Sequence, residues 1–283
     1  MADGSRIGNS GAGATGLAPD RAHGTRRFGR WNGRGTWTLA QRETLRFLNV
    51  WTQTLAAPLI TAGLFLVIFA IAIGPSRPDV MGVPFLRFLL PGILMMTVIQ
   101  NAFANTSSSI VVAKVQGNIV DTLMPPLSAL EMTAGYLAGG IARGAVVAMV
   151  MTLAGWLVLG YGVAHPLWLL AFVVVGAAFL GALGIMAAIF AEKFDQMAAV
   201  TNFVITPLAF LSGTFYSVEA MPPLMARLIH WNPVFYLIDG ARFGFIGASD
   251  SDPALGLAVS LGATLIAAAL CWKAFDSGWR LKP

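Results

Sequence analysis

The chain has 283 residues, of which 57% are hydrophobic and 11% charged, with a mean hydropathy of +0.72. A water-soluble domain carries about 45–50% apolar and about 25% charged residues, so this composition argues against a soluble enzyme, and its apolar content excludes a disordered or fibrous chain. One cysteine excludes a disulfide framework and a Cys-based zinc site, and the net charge of +5 takes its meaning from where the charges lie.

Residues 1–30 are rich in Gly, Ala, Ser and Arg and hold no apolar run. A secretory signal needs an apolar stretch of about 7–15 residues, so this segment reads as a disordered cytoplasmic tail, attracted to anionic lipid headgroups. Residues 31–283 read as one membrane domain. In residues 37–55, Trp37, Ala40, Thr44, Leu48, Trp51 and Leu55 recur at helical spacing, while Arg42, Arg46, Asn49 and Gln53 occupy another face. That pattern predicts either an amphipathic helix in the membrane interface or an extension of the first span.

A span needs about 20 apolar residues, and charge-free runs of suitable length centre on residues 55–73, 88–113, 136–159, 167–190, 197–216 and 254–272. The runs do not alternate as barrel strands do, so the expectation is all-α with six transmembrane helices. Arg6, Arg21, Arg26, Arg27, Arg30, Arg34, Arg42 and Arg46 precede the first span, and Lys114, Arg143, Lys193, Lys273, Arg280 and Lys282 fall on the same side. The other side receives Arg77, Arg87, Arg227 and Arg242. Lysine and arginine mark the cytoplasmic side, so both termini are expected there. The basic excess is then an orientation signal, with no nucleic acid implied.

Two connectors stand out. Residues 114–131 are short and polar, with Lys114, Gln116, Asn118, Asp121 and Glu131, and Pro125-Pro126 stops any helix begun near Val115. This suits a docking element as well as an ordinary loop. Residues 216–247 are cut by Glu219, Pro222-Pro223, Arg227, His230 and Asn232-Pro233 and are too broken to cross. They predict a short external re-entrant helical hairpin before the last span, with Asp239 and Arg242 able to pair locally.

Within the spans, Thr97, Asn101, Asn105 and Ser108 share one helix face, and Asn202 and Thr206 make a smaller stripe beside Pro207. Such faces avoid lipid, either as hydrogen-bonding glue or as the lining of a path. Gly135, Gly139, Gly140 and Gly144 permit close helix packing. Arg143, near the start of the third span, is expected to snorkel to the interface. No acidic residue sits in the middle of a span, as an ion-coupled carrier would need. His23, His165 and His230 lack metal-ligand spacing, so no metal is expected. No catalytic constellation stands out, and no lysine sits in a phosphate loop. The chain is therefore not expected to hydrolyse nucleotide itself.

The segments QNAFANTSSSIVVAKVQGNIVDTLMPPLSALE, AEKFDQMAAVTNFVITPLAFLSGTFYSVEAMPP and NPVFYLIDGARFGFIG resemble bacterial permeases of the ATP-binding-cassette type-2 export family, over residues 31–272. The resemblance implies an inner-membrane permease working as a dimer, a homodimer here, with two copies of a cytoplasmic ATPase that carries ATP and Mg, and no cofactor on this chain. It implies a connecting helix bearing Trp37, Arg42, Glu43 and Arg46, and a coupling helix over residues 115–123 with Lys114, Gln116, Gly117, Asn118 and Asp121. It also implies an external gate near Tyr216, Glu219, Asn232 and Pro233. Asn101, Asn105, Ser108, Asn202 and Thr206 are the candidates for the path of a drug-like, lipid-linked or polysaccharide-like substrate. The rival classes are an ion-coupled secondary transporter and a polytopic enzyme acting on lipid.

Overall fold

The computed structural model describes residues 31–72 and 79–278. The expected tail and the charges Arg6, Arg21, Arg26, Arg27, Arg30, Arg77, Arg280 and Lys282 lie outside the described residues. In chain order the helices are α1 (Gly33–Leu48), α2 (Thr52–Ala72), α3 (Phe85–Val115), the short α4 (Ile119–Leu123), α5 (Ala129–Leu159), α6 (Pro166–Phe190), α7 (Phe194–Thr214), α8 (Pro223–His230), α9 (Pro233–Ile246) and α10 (Pro253–Ser277). Six of them, α2, α3, α5, α6, α7 and α10, are long and apolar enough to cross a membrane. Among the described residues there is no strand, only an isolated bridge between Val80 and Val83.

Local chemistry sets the boundaries. Ser128 and Glu131 form a reciprocal capping box that starts α5. Proline opens α6, α9 and α10, where its missing N–H costs nothing, and Asp252 caps the amides of Ala254 and Leu255. The capping box begins the third span seven residues before the expected 136 (129 against 136). Arg143 therefore lies in the middle of a 31-residue helix, where its guanidinium bonds Asn101 of α3.

The fifth span also differs from a plain helix. Its i→i+4 ladder opens into π-type turns at Thr201–Ile205 and Phe210–Thr214, on either side of Pro207, which has no N–H to give. It stops at Gly213, whose φ of +82° is open to glycine at little cost.

Burial ranks the helices. In their most apolar windows α3 is 83% buried and α6 61%, whereas α2 is 6%. So α3 is the hub, with α5 and α6 packed on it and α9 and α10 closing the far flank. The apolar side chains of α2, such as Ile60, Leu64 and Ile71, point outward and can meet only lipid or another protein. At 14 residues α9 spans about 21 Å, short of the roughly 30 Å of hydrocarbon. It is buried from Val234 through Arg242, while α8 buries nothing. The two make a helical pair over the stretch expected to be re-entrant, one limb inside the bundle and one outside.

Candidate functional site: the α1 latch, the coupling segment and the polar cavity

Helix α1 does not float on the bundle. Leu39, Glu43 and Phe47, spaced by four, are its buried face. The apolar stripe of Trp37, Leu48 and Trp51 faces away from the bundle and is exposed. In a membrane, apolar side chains can face outward at no loss, so the inward face is free to carry polar bonds. Two glycines of α5 receive it. A Cβ at Gly135 would lie 2.6 Å from the Leu39 side chain, and one at Gly139 would overlap the Cβ of Glu43.

Glu43 is wholly buried, and its carboxylate accepts from Arg42 at 3.0 Å, Arg46 at 3.2 Å and Ser109 of α3 at 2.8 Å. Arg46 also donates to the Ser108 hydroxyl at 3.2 Å, and to the backbone and side-chain oxygens of Asn105 at 2.6 and 3.1 Å. Arg42 reaches Thr122 of α4 at 3.3 Å. Burial works against the Arg42 charge, but Tyr136 and Glu43 outweigh it and hold its pKa above the ordinary arginine value. At the start of α1, the Asn32 amide donates to Glu131 and its side chain to the Pro126 carbonyl. Both arginines are partly exposed, so solvent weakens each pair, but with the Ser109, Asn105, Thr122 and Glu131 bonds the set latches α1 to α3, α4 and α5.

The second-span stripe divides accordingly. Asn105 and Ser108 hold α1, which is the glue use. Asn101 accepts from Nε and Nη2 of Arg143 at 3.2 and 2.8 Å and donates to the Thr97 carbonyl. It also lines a cavity of about 460 Å³ between α2, α3 and α7, with Gln53, Thr61, Thr97, Gln100 and Thr206. Asn202 is exposed on α7 and does not line it.

The coupling candidates separate too. The Lys114 ammonium donates to the carbonyls of Ala188, Ile189 and Ala191 at 3.3, 2.9 and 2.7 Å, tying down the carboxyl end of α6. Gln116, Gly117, Asn118 and Asp121 are exposed. A positive φ of +72° at Gly117 ends α3 and turns the chain into α4, so the helix expected over residues 115–123 is shorter and detached. Beside it runs an open groove of about 800 Å³, walled by Trp31, Arg34, Thr38 and Arg42 on one side and Asp121, Pro125 and Leu127 on the other.

At the opposite end, Asn232 donates to Ser212 at 2.7 Å and caps α9, and Pro233 is the first residue of α9. The Tyr216 hydroxyl donates to the Leu211 carbonyl, and burial raises its pKa against a hydrogen bond from Gly213. Glu219 is exposed.

Sequence reasoning found only the local Asp239–Arg242 pair there. Arg242 is fully buried, donates to the Gly213 carbonyl at 2.6 Å, and stands 3.5 Å from Asp239 and 3.7 Å from Asp250. Its guanidinium lies 4.1 Å from the Phe88 ring centre. Asp239 accepts from both the Asp250 and Ser251 amides and from the Ser251 hydroxyl. The signal available in sequence was an arginine in an apolar helix that ends near two further acids. Among the described residues, no group of three His, Cys, Asp or Glu is placed to hold a metal.

Residues 34–246, from the first turn of α1 to the end of α9, match the ABC-2 type transporter family. The chain belongs to that family. The ABC-2 chain is 35% identical over 241 residues to the inner membrane transport permease YadH of Escherichia coli K12, covering 85% of this chain and 94% of that protein. The same figures hold for YadH of Shigella flexneri. Nodulation protein J of Neorhizobium galegae is 33% identical over 82 residues, 29% of this chain and 31% of that protein. The chain is thus a membrane permease of an ABC transporter and not an enzyme. Because the matched residues open inside α1, the latched helix belongs to the family domain.

Proposed function

We propose that two copies of this chain form the path of an inner-membrane exporter driven by ATP bound with Mg on a separate ATPase, one copy per permease. The α1–α4 end and both termini are cytoplasmic, following the Lys/Arg distribution. The ATPase docks on the exposed Gln116, Gly117, Asn118 and Asp121, alongside the groove beneath α1. The observation that carries this reading is the continuous bonded chain from Thr122 through Arg42, Glu43 and Arg46 to Ser109 and Asn105. A push on α4 is passed to α1 and to the hub helix together.

Nucleotide closes the ATPases and so favours the outward-facing arrangement, ATP acting as the ligand that distinguishes two states. Asn101 and Thr206 line the path, and the Asn232–Ser212 and Arg242–Gly213 bonds close it at the outer end. The outward apolar face of α2 is where the second protomer or lipid sits. Replacing Asn118 and Asp121 together by Ala removes exposed groups with no role in the core. The double variant should insert normally and lose most ATPase co-purification. Unchanged co-purification would overturn the docking assignment.

A further inference from the structure

We infer that Arg143, backed by Arg46 and Asn101, recognises the anionic headgroup of an amphipathic molecule whose apolar body lies in the α2–α3–α7 cavity. The inference rests on the permease reading and names a substrate class for it.

Arg143 lies about 21 Å along α5 from the helix start, near the centre of the helix. Its only hydrogen-bond acceptor among the described residues is the neutral amide oxygen of Asn101, reached by Nε and Nη2, which leaves the Nη1 edge open. No carboxylate among the described residues pairs with it. Arg46 bonds Asn105, one turn further along α3, close enough for the two positive charges to repel. Glu43 is the carboxylate of this cluster, and it is already shared by Arg42, Arg46 and Ser109. Three guanidiniums therefore face one carboxylate.

An arginine at a helix centre costs about 2.5–3.5 kcal/mol on insertion scales, and such residues persist where they meet water or a counter-charge. Arg143 is only partly buried, so an incoming anion has access to it. The Asn105 side-chain nitrogen beside it is a buried donor without an acceptor, a further sign that this polar cluster is short of negative groups. Asn101 joins the cluster to the cavity, since its amide oxygen holds Arg143 while the residue lines the wall with Gln100, Thr206, Met96 and Phe65. A planar guanidinium with a free edge suits two oxygens of a phosphate or carboxylate. The mixed wall of the cavity, which Asn101 shares, suits a chain with a polar root. A headgroup joined to an apolar body uses both features; a neutral amphipath leaves the arginine uncompensated, and a free anion leaves the cavity unused.

The test uses the purified full chain in phosphatidylcholine nanodiscs and counts bound probe by native mass spectrometry. Lysophosphatidylglycerol should bind about tenfold more tightly than lysophosphatidylcholine, the margin expected of a charge-assisted bidentate contact. Arg143→Gln should abolish the margin and Arg143→Lys, which keeps the charge but loses the planar fork, should keep only part of it, with lysophosphatidylcholine binding unchanged in both as the check on folding. The wild-type margin should also shrink as salt is raised, which tests the charge contact without any variant. Equal binding of the two lysolipids, or a margin that survives Arg143→Gln, would overturn the inference. Glycerol 3-phosphate binding as tightly as the lysolipid would also overturn it, by assigning a headgroup site with no role for the cavity. ATPase co-purification is read separately, so loss of anion preference with ATPase association intact refutes this inference alone.

Discussion

Two arginine clusters sit at opposite ends of the bundle, and their stoichiometry sets them apart. At the re-entrant end one guanidinium, Arg242, faces two carboxylates, Asp239 and Asp250, and all three are buried and hydrogen-bonded to neighbouring backbone. At the α1 end Arg42 and Arg46 share the buried Glu43 carboxylate and Arg143 holds only the neutral Asn101 amide, while the Arg42 and Arg46 side chains stay 50% and 36% exposed. The first cluster has its bonds closed within the fold and acts as a lock between α9, the break in α7 and the start of α10. The second has positive charge left over, and Asn101 joins it to a cavity. The same side-chain chemistry gives a closed set of bonds where charge is matched and an open guanidinium edge where it is not.

The largest expected effect breaks the lock. Arg242→Met leaves two buried carboxylates without their cation, a loss of about 3–5 kcal/mol. Thermal unfolding in detergent should show a fall of that size, and a change under about 1 kcal/mol would mean the carboxylates are hydrated in place. The α1 end should yield more locally. Gly139→Ala puts a methyl group where the Glu43 Cβ lies, and that atom cannot swing aside because the backbone fixes it. Overpacking of this kind costs about 1–3 kcal/mol. Trypsin should then cut at Arg42 and Arg46 roughly tenfold faster or more, with little change in global unfolding. The smallest effect isolates transmission. Thr122→Val removes the bond to Arg42 without touching the exposed docking residues, at about 0.5–1.5 kcal/mol. The ATPase should co-purify as before while its rate becomes less sensitive to transported substrate; an unaltered rate response would remove Thr122 from the coupling chain.

Much of this was legible in the linear chain, and the failures have physical causes. Six charge-free runs and the broken stretch at residues 216–247 translate directly into elements, because a span must satisfy its own backbone and cannot carry many charges. The polar face of Thr97, Asn101, Asn105 and Ser108 was visible as a face, but its two uses were not separable. That required knowing that Arg46 and Arg143 arrive from α1 and α5. The third helix starts earlier than its charge-free run, because hydropathy runs mark the apolar centre of a helix, whereas the Ser128–Glu131 capping box marks its start. For α1 the apolar stripe was visible in the chain, but the inward face of Leu39, Glu43 and Phe47 was not, because a buried carboxylate shows only once its partners on α3 and α5 are in place.

Composition and periodicity by themselves determined that this chain is a helical membrane protein, how many times it can cross, and which connectors are polar. Those features follow from the cost of exposing backbone and charge to hydrocarbon, a cost paid residue by residue along the chain. Only the tertiary structure decided which polar groups bond one another: that Glu43 is buried on Gly139, that Lys114 ties down α6 rather than standing among the exposed coupling residues, and that Arg242 is matched while Arg143 is not. A hydrogen bond or an ion pair acts over about 3 Å, and residues separated by 40 to 100 positions come within that distance only when the helices have packed.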